Sequence, residues 1–257
     1  MTVERKLAVV TGAGSGVGAA CVRSLLRQGT RVLAIDLAWR EEAPAGDVAR
    51  LTADVAAEST WRRVREVAAA HGGGPDQLVL CAGKLEVGSV LTLAPEALRE
   101  VFEVNVFAAA TALQACLPGM IERGGGAIVA VASTDALFAE QGLAAYCASK
   151  GALLQLIRCV AVDHGRQGIR ANCVCPGAID TPFFRRHVDA AADPEAFLRE
   201  KTERHPSGRL LAPEDVAEVA TFLLEDRAIG VNGAGILIDG GLTATFDYQA
   251  TAVATDA

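Results

Sequence analysis

Tyr146-Cys147-Ala148-Ser149-Lys150 sets a phenol and an ammonium four residues apart. On a helix both side chains leave the same face about one turn from each other. That geometry suits proton transfer. A free tyrosine titrates near ~10, and a neighbouring cation favours the phenolate and brings the group towards working pH. The same spacing also occurs in ordinary half-buried helix pairs, so the pair draws its weight from context. Tyrosine stands at only two positions, 146 and 248.

A second constellation, Thr11-Gly12-Ala13-Gly14-Ser15-Gly16-Val17-Gly18, lies between a short apolar run and a helical pattern. Its glycines let backbone N–H groups approach a pyrophosphate at the positive end of the helix. The spacing departs from GxGxxG because position 17 is Val, and glycine turns after strands also serve tight packing. Asp36 ends the next apolar run, roughly 20 residues further on, where a carboxylate accepts hydrogen bonds from adenosine ribose hydroxyls and repels a 2′-phosphate. This points to NAD over NADP; the plain alternative is a strand-end or turn residue. No Arg or Lys stands in the glycine loop or directly after Asp36.

The elements that must position these groups alternate along the chain. Strand-sized apolar runs cover 6–11, 31–36, 48–51, 77–81, 127–132, 169–175 and 236–238. Helical spacing covers 17–28, 59–71, 95–123 and 143–164, and Pro213-Glu214-Asp215 signals a further start. There, as at Pro95-Glu96, proline at the first helical position loses no hydrogen bond and the acid favours the positive end. The alternation predicts an α/β fold with a parallel sheet covered on both faces, in one domain of 1–257 without repeat or linker. Only 182–208 fits no strand–helix unit, and 242–257 reads as a small-residue tail.

Composition narrows the function classes. The 257 residues are 51 % hydrophobic and 21 % charged, enough for a sizeable core and against wholesale disorder. Asp plus Glu (31) exceed Lys plus Arg (24), a net charge of −7, so no basic field exists to hold nucleic acid or anionic lipid. Seven cysteines without a CxxC pair are no disulfide framework and fit a reducing cytoplasm. Cys173 and Cys175 share a strand face and read as core thiols; four-ligand metal spacing is absent. The first eleven residues lack the apolar length and cleavage site of a signal peptide. Val104–Ile121 is free of charge, yet Asn105, Thr111, Gln114, Pro118 and Gly119 interrupt it, so the expectation is a helix buried in protein, not in a membrane.

Over nearly its whole length the chain resembles the short-chain dehydrogenase/reductase family of about 250 residues. The marks are Thr11-Gly12-x-x-x-Gly16-x-Gly18, Asp54-Val55, Ala82-Gly83, Val104-Asn105, Ser133 thirteen residues before Tyr146, the YxxxK at 146–150, Pro176-Gly177-x-Ile179-x-Thr181 and Asp239-Gly240-Gly241. The resemblance implies a doubly wound Rossmann-type domain with a seven-stranded parallel sheet flanked by helices, and a homotetramer. It implies Tyr146 as general acid/base, Lys150 lowering its pKa and holding the nicotinamide ribose, Ser133 bonding the substrate oxygen, and Asn105 behind Lys150 in a water relay. It further implies that Gly12, Ser15, Gly16, Val17 and Gly18 cradle the pyrophosphate and that Asp54 and Val55 meet the adenine. Ala82 and Gly83 would line the cofactor cleft, with Pro176, Gly177, Ile179 and Thr181 about the carboxamide.

Two departures stand out. Leu80-Cys81-Ala82-Gly83 replaces the family's frequent Asn-Asn-Ala-Gly, which leaves the hydrogen bonding around that strand open, and Ala130 stands where Asn is frequent. On the substrate side, Leu85, Leu137, Phe138, Phe183 and Phe184 are candidates for an apolar wall or for plain core. Asp135 either meets a polar substrate group or is a solvated loop acid. Arg185-Arg186-His187 either binds an anion from a covering segment or is a solvated face. The expectation is an NAD(H)-linked oxidoreductase that interconverts a secondary alcohol and a ketone. The alternatives are an NADPH-linked 3-oxoacyl-thioester reductase, a cis-diol dehydrogenase and a dinucleotide-binding scaffold.

Overall fold

The computed structural model describes residues 5–40 and 42–245, and in them each apolar run named above becomes a strand. β1 (Leu7–Thr11), β2 (Arg31–Asp36), β3 (Val48–Thr52), β4 (Gln77–Leu80), β5 (Gly126–Val131), β6 (Ile169–Pro176) and β7 (Gly235–Ile238) form one sheet in the order β3-β2-β1-β4-β5-β6-β7. Every neighbouring pair is parallel. This is the seven-stranded doubly wound α/β sheet that the alternation and the resemblance predict.

Because both faces of a parallel sheet are covered, its strands carry apolar residues in both directions. Val9, Leu33, Ile35, Leu78, Ile128, Cys173 and Cys175 face one way, onto α2 (Glu58–Ala69), α4 (Ala108–Glu122) and α5 (Ala144–His164). Ala8, Val10, Val32, Ala34, Val79, Val129 and Val174 face the other, onto α1 (Gly16–Arg27) and α8 (Pro213–Leu223). Cys173 and Cys175 are thus buried core thiols on one face. Trp61 is fully buried on α2, with its indole N–H donating to Val55 O at 2.8 Å; truncation to alanine there costs ~3–5 kcal/mol.

The helix expected over 95–123 has a fault in it. α3 (Pro95–Phe102) runs into a π-helical turn, Glu103–Phe107, before continuing as α4. Two helical stretches, Pro95–Glu122 and Ala144–Gln167, are long and apolar enough to cross a membrane by length and composition. Both pack into the fold, α4 through Ala109, Ala112, Leu113, Cys116 and Met120 and α5 through Leu153, Leu154 and Ile157.

Residues 182–208, which the apolar periodicity assigned to nothing, hold two more helices, α6 (Pro182–Asp189) and α7 (Pro194–Glu203). Each opens on proline behind a capping side chain. Thr181 Oγ1 accepts from Phe184 N at 3.2 Å and Asp193 Oδ1 from Ala196 N at 3.0 Å, satisfying donors that the helix start leaves free. Of the predicted tail 242–257, residues 242–245 form a turn after Asp239-Gly240-Gly241. The rest, Tyr248 included, lies outside the described residues, as do residues 1–4 of the expected non-signal N-terminus.

Candidate active site

The sheet order reverses between β1 and β4, and the C-terminal strand ends on either side of that point carry the marked residues. β1 runs into the glycine loop. Gly12 (φ +63°) and Gly16 (φ +55°) hold the left-handed conformation that favours glycine. A Cβ at Gly12 would fall 2.7 Å from Ala82 N, and one at Gly18 would fall 2.0 Å from Gly12 O. The loop therefore presents bare backbone to the cleft. α1 starts from Ser15 with no side-chain cap and no acid in its first turn, so its positive end is available to an anion. These features fit a dinucleotide pyrophosphate.

Asp36 closes β2 beside this loop, its carboxylate accepting from Gly14 N at 2.8 Å and Ala38 N at 3.1 Å. Arg40 N returns to Gly14 O at 3.1 Å, so the turn after β2 lies on the loop. Gly14, the second glycine of the loop, has no room for a side chain: a Cβ there would meet Ala38 O at 2.0 Å. Asp54 caps its own turn, Oδ1 accepting from Ala56 N at 2.9 Å, and Val55 beside it is buried.

After β4, the hydrogen bonding that Leu80-Cys81 left open is supplied by Thr11. Its Oγ1 accepts from Cys81 N at 3.1 Å and from Ala82 N at 3.2 Å. Asn105 sits buried in the π-helical turn and binds the next residue of the loop twice, Oδ1 accepting from Lys84 N at 2.7 Å and Nδ2 donating to Lys84 O at 2.9 Å. π-turns recur at functional sites because the extra residue re-aims a side chain. Asn105 Oδ1 and Lys150 Nζ both border Gly83, 3.5 and 3.7 Å from where its Cβ would stand.

Ser133, Tyr146 and Lys150 are all buried. Ser133 follows β5 and caps a short 3-10 turn over Thr134–Ala136, Oγ accepting from Asp135 N at 3.1 Å. Tyr146 and Lys150 share one face of α5, the ammonium 5.6 Å from the phenol ring centre and donating to Val131 O at 2.8 Å. Burial lowers the Lys150 pKa to about 8. Burial, then the Asp135 charge, push the Tyr146 phenol above its ordinary value, while the Ser133 hydroxyl pulls it down. Desolvation is the largest of these effects and penalises the phenolate.

Beyond β6, Gly177 N donates to Ile238 O at 2.9 Å, Ile179 bridges to Leu211, and buried Thr181 reaches the loop, its Cγ2 3.0 Å from where a Gly16 Cβ would stand. Behind Gly177 lies a residue that no sequence signal marked. His205, 1 % exposed, donates from Nδ1 to Lys201 O at 2.7 Å, and its Nε2 has no hydrogen-bond partner among the described residues. A Cβ at Gly177 would stand 2.9 Å from that nitrogen.

On the open side, the ring packed against Tyr146 is that of Phe183, with centres 6.1 Å apart, while Phe184 gives its N–H to the Thr181 cap. Leu85 is half-buried; Leu137 and Phe138 are exposed. The basic run is engaged within the protein: Arg185 pairs with Asp180 at 2.7 and 2.8 Å, Arg186 lies over Phe183, and His187 meets Phe197 edge-on. Lys201 pairs with Glu140. Asp135 is half-buried, and desolvation, then Glu140, raise its pKa to about 6. Among the described residues no group of three His, Cys, Asp or Glu side chains is placed to hold a metal ion.

Known proteins resemble this chain over most of its length. Residues 12–243 match a protein family described as enoyl-(acyl carrier protein) reductase. The chain is 36 % identical over 251 residues to 2-(S)-hydroxypropyl-CoM dehydrogenase 3 of Xanthobacter autotrophicus, covering 94 % of this chain and 98 % of that protein. It is 34 % identical to meso-2,3-butanediol dehydrogenase of Serratia marcescens, covering 95 % and 97 %. The crystal structure of a putative short-chain dehydrogenase/reductase from Burkholderia xenovorans superposes with a TM-score of 0.89 at 32 % identity, over 94 % of this chain and 98 % of that one. The chain belongs to the short-chain dehydrogenase/reductase family of oxidoreductases.

Proposed function

We propose that this protein is a cytoplasmic, NAD(H)-dependent oxidoreductase that interconverts a secondary alcohol and a ketone, with Tyr146 as general acid/base. The observation that carries the reading is the clustering of buried Ser133, Tyr146 and Lys150, with Asn105 and Lys150 both against Gly83. In the reduction the Tyr146 phenol gives its proton to the oxygen as the carbonyl becomes an alcohol, in the oxidation its phenolate takes that proton back, and Ser133 donates a hydrogen bond to the same oxygen. A nicotinamide dinucleotide held by these residues would supply the hydride acceptor for the carbinol carbon. Lys150 supplies positive charge beside the phenol, and Asn105 holds the Lys84 turn and α5 behind it.

Gly12, Ser15, Gly16, Val17 and Gly18 face the pyrophosphate, Asp36 the adenosine ribose, and Asp54 and Val55 the adenine. Ala82 and Gly83 line the cleft, and Pro176, Gly177, Ile179 and Thr181 take the nicotinamide side. Leu85, Asp135 and Phe184 meet the substrate, with Phe183 joining them, and residues 182–208 cover it. The chain is one domain. The family resemblance supports a homotetramer. Net charge −7 speaks against nucleic-acid and membrane partners. The relatives named for hydroxypropyl-CoM and butanediol support a small alcohol or ketone as substrate.

One second reading has an observation in its favour. The matched family's description names an acyl-carrier substrate, which suits an NADPH-linked 3-oxoacyl-thioester reductase. The Asp36 carboxylate on the glycine loop opposes it, because a 2′-phosphate there meets like charge. Fluorescence titration with NADH and NADPH, followed by turnover of secondary alcohols, ketones and 3-oxoacyl thioesters, separates the two. Tighter NADH binding with turnover of free ketones is expected; tight NADPH preference with thioester turnover overturns the reading, and cofactor binding with no turnover returns the chain to a dinucleotide-binding scaffold.

A further inference from the structure

Asp135 is tied to the candidate catalytic group by its backbone. Its N–H donates to Ser133 Oγ at 3.1 Å in the turn that Ser133 caps, so the two residues move as one unit. The Asp135 carboxyl lies close enough to Tyr146 and Lys150 for both to feel its charge. The other ionisable groups facing Asp135 are Glu140, Cys147 and Lys201. Neither lysine is committed to it: Lys201 pairs with Glu140, and Lys150 donates to Val131 O. Among the described residues, Asp135 forms no salt bridge. A half-buried carboxyl with acceptor sites left over thus adjoins the two groups that, on the reading above, grip the reacting oxygen.

Such a group discriminates in both directions. It repels an anionic substituent brought next to it in a partly desolvated cleft, and it accepts a hydrogen bond from a neutral donor. Two lysines already within its field disfavour an ammonium as that donor. The neighbouring surface, Phe183 with Leu137 and Phe138 on the same turn, is apolar and suits a hydrocarbon body.

We propose that Asp135 is a specificity residue that accepts a hydrogen bond from a hydroxyl on the carbon next to the reacting one, so that the enzyme selects uncharged vicinal diols and α-hydroxy ketones over anionic substrates. This rests on the reading of Tyr146 and Ser133 as the groups that hold the reacting oxygen. In the oxidation one carbinol carbon gives its hydride to NAD and its hydroxyl proton to the Tyr146 phenolate, and becomes the carbonyl. The adjacent hydroxyl keeps its proton, shared with Asp135, and the product is the α-hydroxy ketone.

The test measures kcat/KM with NAD for cis-1,2-cyclohexanediol, cyclohexanol and 3-hydroxybutyrate on the full chain, wild type beside Asp135→Ala and Asp135→Asn. Wild type should favour the diol over cyclohexanol at least ~10-fold, the scale of one hydrogen bond to a charged group. Asp135→Ala should remove most of that ratio. Asp135→Asn, which keeps an acceptor oxygen, should retain part of it, and both variants should improve 3-hydroxybutyrate relative to cyclohexanol. A diol-to-cyclohexanol ratio unchanged in Asp135→Ala, or a wild type that prefers 3-hydroxybutyrate, overturns the proposal while cyclohexanol turnover keeps the oxidoreductase reading intact. Should the alanine variant fail to fold, the wild-type ratios and Asp135→Asn decide. NADH binding with no turnover of any of the three by wild type overturns the reading of the site and this proposal together.

Discussion

Asn105 donates from Nδ2 to Ser149 Oγ at 2.9 Å, joining the π-helical turn of one long helix to the residue that precedes Lys150 on another. Ser149 in turn donates to Tyr146 O at 2.8 Å. With the two bonds to Lys84, one buried amide ties together the loop after β4, the turn at 103–107 and the start of α5, the three segments that surround Gly83 and Lys150.

Asn105→Ala should therefore act on stability as well as rate. It leaves Lys84 N, Lys84 O and Ser149 Oγ short of partners in a buried setting, a loss of ~1–3 kcal/mol. Urea unfolding should show a lower midpoint at unchanged slope, together with a fall in kcat. A midpoint equal to wild type would show that the amide bridges nothing of consequence.

Asp36→Ala should relax cofactor choice. Removing the carboxylate abolishes repulsion of a 2′-phosphate and frees Gly14 N and Ala38 N, so the ratio of kcat/KM for NAD to that for NADP should drop about tenfold or more. Steady-state kinetics with both cofactors checks this. Unchanged discrimination would mean that Asp36 only pins the loop.

Asp135→Asn should stabilise the fold in a pH-dependent way. The folded carboxyl titrates at about 6, above its ordinary 3.8, so the folded state binds more protons than the unfolded state between those values. Stability then falls as pH rises through that window, and the neutral amide escapes the loss. The Tm advantage of the variant should grow from pH 4 to pH 6 and level off above. An advantage that is constant from pH 4 to 8, or that shrinks as pH rises, contradicts the burial argument.

The sheet was readable because a parallel sheet covered on both faces makes each strand a nearly unbroken apolar run, as in Leu7–Val10 and Ile128–Val131, between glycine or polar stops. The catalytic candidates were readable as spacing along α5 and as family marks. Three features were not. The π-turn that aims Asn105 leaves the apolar pattern of 95–123 intact, so periodicity passes straight through it. α6 and α7 bury little, only Val188 fully, so no apolar stripe announces them, although Thr181-Pro182 and Asp193-Pro194 are helix starts of the same kind as Pro95 and Pro213. The partners of His205, Lys201 and Glu140 are distant in sequence or backbone atoms, and only the folded chain brings them together.

The proposed proton transfer depends most directly on the phenol of Tyr146. In Tyr146→Phe the ring, its packing against Phe183 and the cleft persist, and only the proton path is removed. NADH affinity, read by fluorescence titration, should match wild type, while kcat for a secondary alcohol with NAD should fall at least ~10²-fold. Near-normal turnover in that variant would contradict the assignment of Tyr146 as the group that carries the substrate proton.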